Sequence, residues 1–277
     1  MHILQAIILG LVQGLTEFIP VSSSGHLLFI EKLMGWDTGK MAFDVALHLG
    51  TLAALLCFFW NDWMSILSSF GRRIFRGMPY EKQSEEGRTG KLLVPIIIAT
   101  IPAALVGYKF DKHIESMRDR PWMLPAVAGA LALIAIVMLL AERVGQKKRA
   151  MGSMVYADYI IVGCAQALAL FPGVSRSGIT ISAGLFRGLD RAAAARFSFL
   201  LSTPIIFGAG LMKLKDLLKT GLPHGEMMIF LVGFVAAAIS GYLAVRFLMS
   251  YLQRGSLKVF AAYRFLLAAV ILVAFLR

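Results

Sequence analysis

Hydrophobic residues occur along this chain in long runs that are separated by short polar stretches. The runs lie at about 3–30, 41–60, 92–110, 123–141, 158–188, 194–212, 226–249 and 257–277. A helix of roughly 20 apolar residues crosses the hydrocarbon core of a bilayer. Six of the runs are uninterrupted and approach that length, whereas 3–30 and 158–188 are broken midway by Pro, Gly and Ser. The pattern predicts an all-α polytopic membrane protein.

The two interrupted runs are copies of one another. Aligned without gaps, IILGLVQGLTEFIPVSSSG (7–25) and IIVGCAQALALFPGVSRSG (160–178) agree at ten of nineteen positions. This internal duplication divides the chain into a first repeat, 1–150, and a second repeat, 151–277. Each repeat is predicted to contain one broken segment followed by three transmembrane helices.

The number of spans predicts the relative orientation of the repeats. If each broken segment is re-entrant, entering and leaving on one side, each repeat crosses the membrane three times, and the second copy is inverted. Inverted repeats commonly form their sites near the midplane from discontinuous helices. Non-helical backbone at that depth must be buried in protein or line a wet cavity. The two Ser/Gly breaks are therefore expected to meet at one central site.

Composition and charge agree with a membrane protein. Hydrophobic residues make up 58% of the chain, mean hydropathy is +0.74 and the net charge is +12, whereas soluble domains are about 45–50% apolar. The cations lie mostly between apolar runs, as expected for loops at lipid headgroups, so no nucleic-acid partner is predicted. Sixteen Lys and Arg fall on the side of loop 61–91 and ten on the other. The bias predicts that 61–91 is cytoplasmic and that the first broken segment opens outward.

The differences between the two copies indicate chemistry. Glu17, Ser23 and His26 in the first copy correspond to Leu170, Arg176 and Ile179 in the second. An acid, a hydroxyl and an imidazole on one loop would thus face a guanidinium on the other. This division is expected if both loops line one catalytic pocket.

Glu17 is expensive to bury in an apolar helix, by roughly 2.5–3.5 kcal/mol or more, so a functional role is expected for it. Gln13 lies one helical turn earlier on the same face. Carboxylate and amide oxygens suit Mg²⁺ or Ca²⁺, with a substrate phosphate completing the shell. The alternative is a structural ion pair between Glu17 and an intramembrane arginine such as Arg264.

The loop that follows Glu17 has the composition of an anion cradle. Backbone N–H groups freed by a helix break, together with hydroxyls, bind phosphate oxygens, and an arginine in the facing loop would add a bidentate fork. The residues predicted to bind substrate are Ser22, Ser24, Gly25, Ser175, Ser177 and Thr180. His26 is predicted to transfer protons, and Ser23 is a candidate nucleophile if Glu17 or His26 activates it.

Other polar residues are expected to be structural. Asp44 and His48 share a helix face and are predicted to pair. Arg264 is expected to compensate a buried acid outside the site. The cations predicted at the membrane interface are Arg187, Arg191 and Arg196.

The two motifs resemble those of the undecaprenyl-diphosphate phosphatase family, also called bacitracin-resistance proteins. The matching stretches are QGLTEFIPVSSSGH, from Gln13 to His26, and PGVSRSGIT, from Pro172 to Thr180. The resemblance implies hydrolysis of the terminal phosphate of undecaprenyl diphosphate, with a divalent metal, in the bacterial plasma membrane. It also implies essential roles for Glu17, His26 and Arg176. The family motif is usually E-x-x-x-E, whereas Gln13 stands first here.

Three attacking groups stay open, namely Ser23, His26 and a metal-bound water. The residues alone indicate a phosphate or anion site in an inverted-repeat membrane protein, which also suits a secondary transporter or lipid flippase for a phosphorylated substrate. An acid–base set facing an arginine favours the enzyme. The expected partners are the polyprenyl diphosphate and the bilayer, and a homodimer is compatible with the sequence.

Overall fold

A computed structural model describes residues 2–36, 41–76, 91–118, 120–220 and 227–275. In these ranges the chain is almost entirely helical. The helices are α1 (Ile3–Phe18), α2 (Ser23–Met34), α3 (Met41–Phe58), α4 (Trp60–Arg76), α5 (Leu93–Met117), α6 (Met123–Val144), α7 (Tyr156–Leu168), α8 (Arg176–Phe186), α9 (Arg191–Thr220), α10 (Met227–Tyr251) and α11 (Lys258–Phe275). A short 3₁₀ helix, Met151–Ser153, precedes α7.

Five of the described helices are long and apolar enough to cross a membrane, namely α5, α6, α9, α10 and α11. A sixth span arises if Phe43–Phe58 and Trp60–Phe75, which meet at a bend of 73°, are counted as one. Many large apolar side chains on these helices face outward, Leu133 and Ile239 among them, as expected where lipid is the solvent. The predicted class, a polytopic all-α membrane protein, is confirmed.

Each interrupted run forms two helices with a break between them. In the first run α1 ends at Phe18 and α2 begins at Ser23, and in the second α7 ends at Leu168 and α8 begins at Arg176. The residues that precede α2 and α8, Ser22 and Ser175, hold the same unusual conformation, with φ of 77° and 70°. The duplication seen in the sequence is therefore also present in the backbone conformation.

Equivalent glycines allow equivalent helix contacts in the two halves. A Cβ added to Gly10 would lie 2.8 Å from the carbonyl oxygen of Gly233, and one added to Gly163 would lie 2.3 Å from that of Ala99. Small residues let membrane helices approach this closely. As a result α1 packs on α10 and α7 packs on α5, so each broken segment rests on a helix of the other half. The inverted orientation and the boundary between 150 and 151 stay predictions.

The arginines expected as interfacial cations form ion pairs. Arg187 and Arg149 both donate to the buried carboxylate of Asp158, at 2.7 Å each. Arg191 binds Glu142 through two hydrogen bonds, of 2.8 and 2.7 Å. Arg196 similarly pairs with Asp62. These acids lie at segment ends distant along the chain, which is why the sequence did not indicate the pairs.

Candidate active site

The helix breaks direct two helix N-termini toward one centre. The Ser22 and Ser175 hydroxyls accept hydrogen bonds from Gly25 and Gly178 main-chain N–H groups, at 3.4 and 3.2 Å. Each serine thereby caps the helix that follows it. The first residues of α2 and α8 carry the partial positive charge of a helix N-terminus, which favours anions.

Glu17 joins the two breaks through its carboxylate. Oε1 accepts a hydrogen bond from Arg176, with which Glu17 forms an ion pair. Oε2 accepts from the Ser23 hydroxyl at 2.5 Å and from the Gln13 amide at 3.1 Å. Both charged side chains are largely buried, with 7% of Glu17 and 16% of Arg176 exposed. Glu17 thus forms the ion pair with an intramembrane arginine that the structural alternative predicted, but the partner is Arg176 and not Arg264.

A central cavity of about 230 Å³ opens beside this ion pair. The polar residues that line it come from both breaks, with the helix starts that follow them, and from α1, α3 and α7. They are Glu17, Ser22, Ser23, Ser24, His48, Gln166, Ser175 and Arg176. The apolar part of the lining comes from α5, α9 and the second break, and includes Ala103, Leu170, Ile205 and Ile206. A pocket with convergent polar groups and an apolar wall is typical of a ligand site.

Three predicted substrate-binding residues lie behind this lining. The Ser177 hydroxyl lies 3.3 Å from that of Ser175, and the Gly25 N–H donates to the hydroxyl of Ser22, which caps α2. The Thr180 hydroxyl donates to the carbonyl of Arg176 at 2.7 Å and lies 2.6 Å from the Ser198 hydroxyl. Within the described residues these groups support the two loops, while Ser22, Ser24 and Ser175 reach the cavity.

His26 also lies outside the cavity lining. Its Nδ1 lies 2.7 Å from the carbonyl oxygen of Ser22, and its Nε2 lies 2.8 Å from the Tyr263 hydroxyl. A carbonyl only accepts, so Nδ1 carries a hydrogen; in the neutral ring Nε2 then accepts from Tyr263. The rings are stacked, with centroids 5.6 Å apart. His26 thus holds the backbone of the loop that presents Ser23, and its acid–base role stays a prediction.

Arg264 binds main-chain carbonyls where a buried acid was expected. It is fully buried, and its guanidinium donates to the carbonyls of Pro20 at 3.3 Å and of Gly173 at 2.8 Å. Further bonds reach Val174 and Leu131. Pro20 and Gly173 are equivalent positions of the duplicated motif, so one cation fixes both loops. The two loops also contact each other directly, since the Gly173 N–H donates to Ser24 Oγ at 3.3 Å.

His48 is a cavity residue that the sequence did not identify. Its Nδ1 lies 2.7 Å from the main-chain oxygen of Asp44, while the Asp44 carboxylate accepts from Arg118 at 2.9 Å. The predicted Asp44–His48 pair is thus a main-chain contact. Arg118 also donates to Glu31 at 2.6 Å. Burial lowers the pKa of Arg118, but the two carboxylates outweigh burial and hold that pKa above its usual range.

A second cavity of about 230 Å³ adjoins the first and shares Ser23, Ser24 and His48 with it. Arg118 and Lys213 contribute cationic side chains to its lining. The Ser/Gly loop of the first repeat therefore borders both cavities. Asp44, which accepts from Arg118, lines the second cavity as well.

The oxygen donors near Glu17 are compatible with a divalent cation. Gln13 is fully buried, and its Oε1 accepts no hydrogen bond within the described residues. This oxygen lies on the side chain whose amide contacts Glu17, and hard oxygen donors are those that Mg²⁺ and Ca²⁺ prefer. No group of three or more His, Cys, Asp or Glu suited to a metal occurs in the described chain. A bound cation would therefore depend on phosphate and water for much of its shell.

The fold and the cavity together define a polytopic membrane protein whose interior holds a polar, arginine-containing cavity built in part from two duplicated loops. The chain belongs to the bacitracin resistance protein BacA family, whose match covers residues 6–270. A relative from Rubrobacter xylanophilus, named undecaprenyl-diphosphatase, is 46% identical over 273 residues, which are 98% of this chain and 97% of the relative. Relatives of the same name from Moorella thermoacetica and Thermodesulfovibrio yellowstonii are 45% and 44% identical, over 99% and 98% of this chain and 98% and 96% of theirs.

Proposed function

We propose that this protein hydrolyses the terminal phosphate of undecaprenyl diphosphate, giving undecaprenyl phosphate and inorganic phosphate. Such a reaction recycles the lipid carrier of bacterial wall synthesis. Family membership and the names of near full-length relatives support the activity. The observation that carries the proposal is the single cavity lined by Glu17 and Ser23 from one loop and by Arg176 from the other.

The diphosphate binds where the two helix N-termini converge. Arg176 and the hydroxyls of Ser24 and Ser175 line this part of the cavity. A fixed cation stabilises the charge that spreads over the phosphoryl oxygens in the transition state. When substrate enters, the Arg176 guanidinium is shared between Glu17 and the phosphate.

The Ser23 hydroxyl is the attacking group that the geometry favours. It donates to Glu17 Oε2 at 2.5 Å, the short length typical of a hydroxyl bonded to a carboxylate, so Glu17 is placed to accept its proton. Ser23 Oγ forms a bond to the terminal phosphorus as its proton passes to Glu17, and the bond between phosphorus and the bridging oxygen breaks. Glu17 then gives this proton to the departing undecaprenyl phosphate and is again an ionised carboxylate. Water, deprotonated by Glu17, then attacks the phosphoserine, which releases phosphate and returns the proton to Ser23.

A divalent cation, Mg²⁺ or Ca²⁺, is proposed as cofactor. Glu17 and Gln13 would hold it through their side-chain oxygens. When bound, it would neutralise charge on the diphosphate. Gln13 supplies an uncharged ligand, so Glu17 contributes the protein's negative charge at this place.

The prenyl chain occupies the apolar side of the cavity and the surrounding lipid. Leu170, Ile205 and Ile206 contribute apolar surface to the cavity lining, and apolar contacts of this kind bind the chain without selecting the phosphate. The distribution of Lys and Arg supports a site that opens to the outer, periplasmic face of the inner membrane.

Phosphate release by the purified protein tests the function. The full chain in detergent or lipid nanodiscs is expected to release phosphate from undecaprenyl diphosphate, and a chelator is expected to stop it. Transport of the intact lipid across a vesicle membrane without phosphate release would support the transporter alternative and overturn the proposal.

A further inference from the structure

Gln166 in α7 is a buried cavity residue with no hydrogen-bond partner in the described structure. It lines the central cavity with Glu17 and Arg176, and only 2% of it is exposed. Neither its amide nitrogen nor its amide oxygen makes a hydrogen bond within the described residues. Buried polar groups are nearly always paired, so each exception requires an explanation.

The duplicated motif explains why this amide has no hydrogen-bond partner among the described residues. Gln166 is the counterpart of Gln13, and Gln13 Nε2 donates at 3.1 Å to Glu17, one turn further along its helix. One turn beyond Gln166 the equivalent residue is Leu170. The same amide is therefore presented by both repeats, but in the second repeat the carboxylate that would receive its hydrogens is absent.

We propose that Gln166 binds the substrate, with its amide N–H group donating to an anionic oxygen of the diphosphate opposite Arg176. This inference rests on the proposed phosphatase function and extends it to a residue outside the Ser/Gly loops. We assign a phosphate oxygen as the acceptor because Arg176 and the serine hydroxyls line the same cavity. Any ligand of this cavity would therefore meet these donors as well as Gln166. The amide oxygen is left to accept from water.

A binding role and a structural role predict opposite effects on stability. A buried amide that makes no hydrogen bond in the free protein has lost its bonds to water without replacement, which destabilises the fold. Its removal should therefore not lower the unfolding temperature. Its removal should weaken substrate binding and turnover, because hydrogen bonds to charged groups are among the stronger ones. A structural glutamine would show the reverse pattern.

Gln166→Met tests this, because methionine keeps the unbranched shape and deletes both polar amide atoms. The purified full-length variant is expected to unfold at the same temperature as wild type or higher. Its kcat/KM for phosphate release from undecaprenyl diphosphate should be about 10- to 100-fold lower. Inorganic pyrophosphate, used as a probe, should raise the unfolding temperature of wild type more than that of the variant.

Two further variants sharpen the comparison. Gln166→Glu keeps the side-chain length but replaces the donor by an anion, and it should lose more activity than Gln166→Met. Gln253→Met makes the same change at an exposed glutamine outside the central cavity and should retain wild-type kinetics.

The outcomes separate this inference from the function itself. A wild-type protein that releases no phosphate contradicts the phosphatase proposal. An active wild type with a Gln166→Met protein within twofold of it in kcat/KM overturns the role of Gln166 alone. So does a lowered unfolding temperature in Gln166→Met, since it would assign the amide to structure, and so does a fully active Gln166→Glu protein.

Discussion

Glu17 and Arg176 form an ion pair across 159 residues of sequence, and each comes from the copy of the duplicated motif that lacks the other. The duplication thus produced two similar loops, and divergence gave each a different charge. Breaking a buried pair by removing one partner usually costs about 3–5 kcal/mol. The pair consequently links the integrity of the site to the contact between the repeats.

Arg176→Lys is expected to lower turnover by roughly 10²–10³-fold, by analogy with the loss of one oxyanion donor. Lysine keeps the charge but cannot make two parallel hydrogen bonds to phosphate. Steady-state kinetics should show a smaller change in KM than in kcat, because the prenyl chain supplies much of the binding. Arg187→Lys, at an ion pair outside the cavity, is the matched control and should have a mild effect. Near-normal turnover in Arg176→Lys would contradict the shared-pocket arrangement.

Glu17→Gln is expected to reduce turnover by roughly 10²–10⁴-fold, the usual size of a lost acid–base group. Added Mg²⁺ should not restore it, because both the proton acceptor and the anionic ligand are gone. Gln13→Glu should be tolerated and should strengthen metal binding, because it adds a negative charge. A titration of activity against free Mg²⁺ should then reach half-maximal activity at a lower concentration. Chelator-resistant activity in Glu17→Gln would exclude a metal role for Glu17.

Ser23→Ala is expected to abolish the covalent intermediate. Rapid acid quenching of wild type with substrate labelled in the terminal phosphate should trap a phosphoserine, and peptide mapping should locate it at Ser23. The control is Ser202→Ala, since within the described part of the chain the Ser202 hydroxyl donates to the carbonyl of Ser198 in α9, at 2.8 Å, and does not line the central cavity. Full turnover in Ser23→Ala would eliminate nucleophilic catalysis by this serine and favour a water as the attacking group.

Arg264→Met is expected to destabilise the protein by more than about 3 kcal/mol, because each buried carbonyl left unsatisfied costs about 1–3 kcal/mol. Thermal unfolding in detergent would measure the loss, and activity should fall with it as the two loops separate. Arg246→Met removes an exposed arginine and serves as the control. Equal unfolding temperatures for the two variants would show that the carbonyl contacts contribute little.

Membrane orientation can be tested by cysteine labelling in intact cells. In a protein carrying Cys57→Ser and Cys164→Ser, a membrane-impermeant maleimide should label Gly35→Cys from outside and should label Lys148→Cys only after permeabilisation. The expectation follows from the distribution of Lys and Arg between the two sides. Labelling in the opposite pattern would reverse the predicted direction in which the site opens.

The apolar runs and the Ser/Gly motifs predicted the fold class because helix length and the membrane environment leave few alternatives. They also predicted that Glu17, Ser23 and Arg176 belong together, since divergence within a duplication shows which groups were divided between the loops. These three side chains do meet in the structure.

Contacts made by distant helices could not be predicted from the sequence. The orientation of His26 depends on Tyr263, 237 residues away, and a motif carries no information about such a neighbour. His48 faces the cavity because α3 packs against α1 and α9. The lack of a hydrogen-bond partner for Gln166 among the described residues likewise depends on the folded structure. The same residue type at position 13 does make a hydrogen bond.

The two loops share one guanidinium, and this limits how the protein can have arisen. Arg264 comes from the second half alone, yet it binds the same carbonyl in each loop, at Pro20 and at Gly173. Two identical subunits related by symmetry would bring two arginines to this place, and like charges in a buried space repel. In one polypeptide the two halves differ in sequence, so a single arginine from the second half can serve both loops. The two halves therefore differ in the residues that support the site as well as in those that line it, and neither half contains all of the residues from which the site is built.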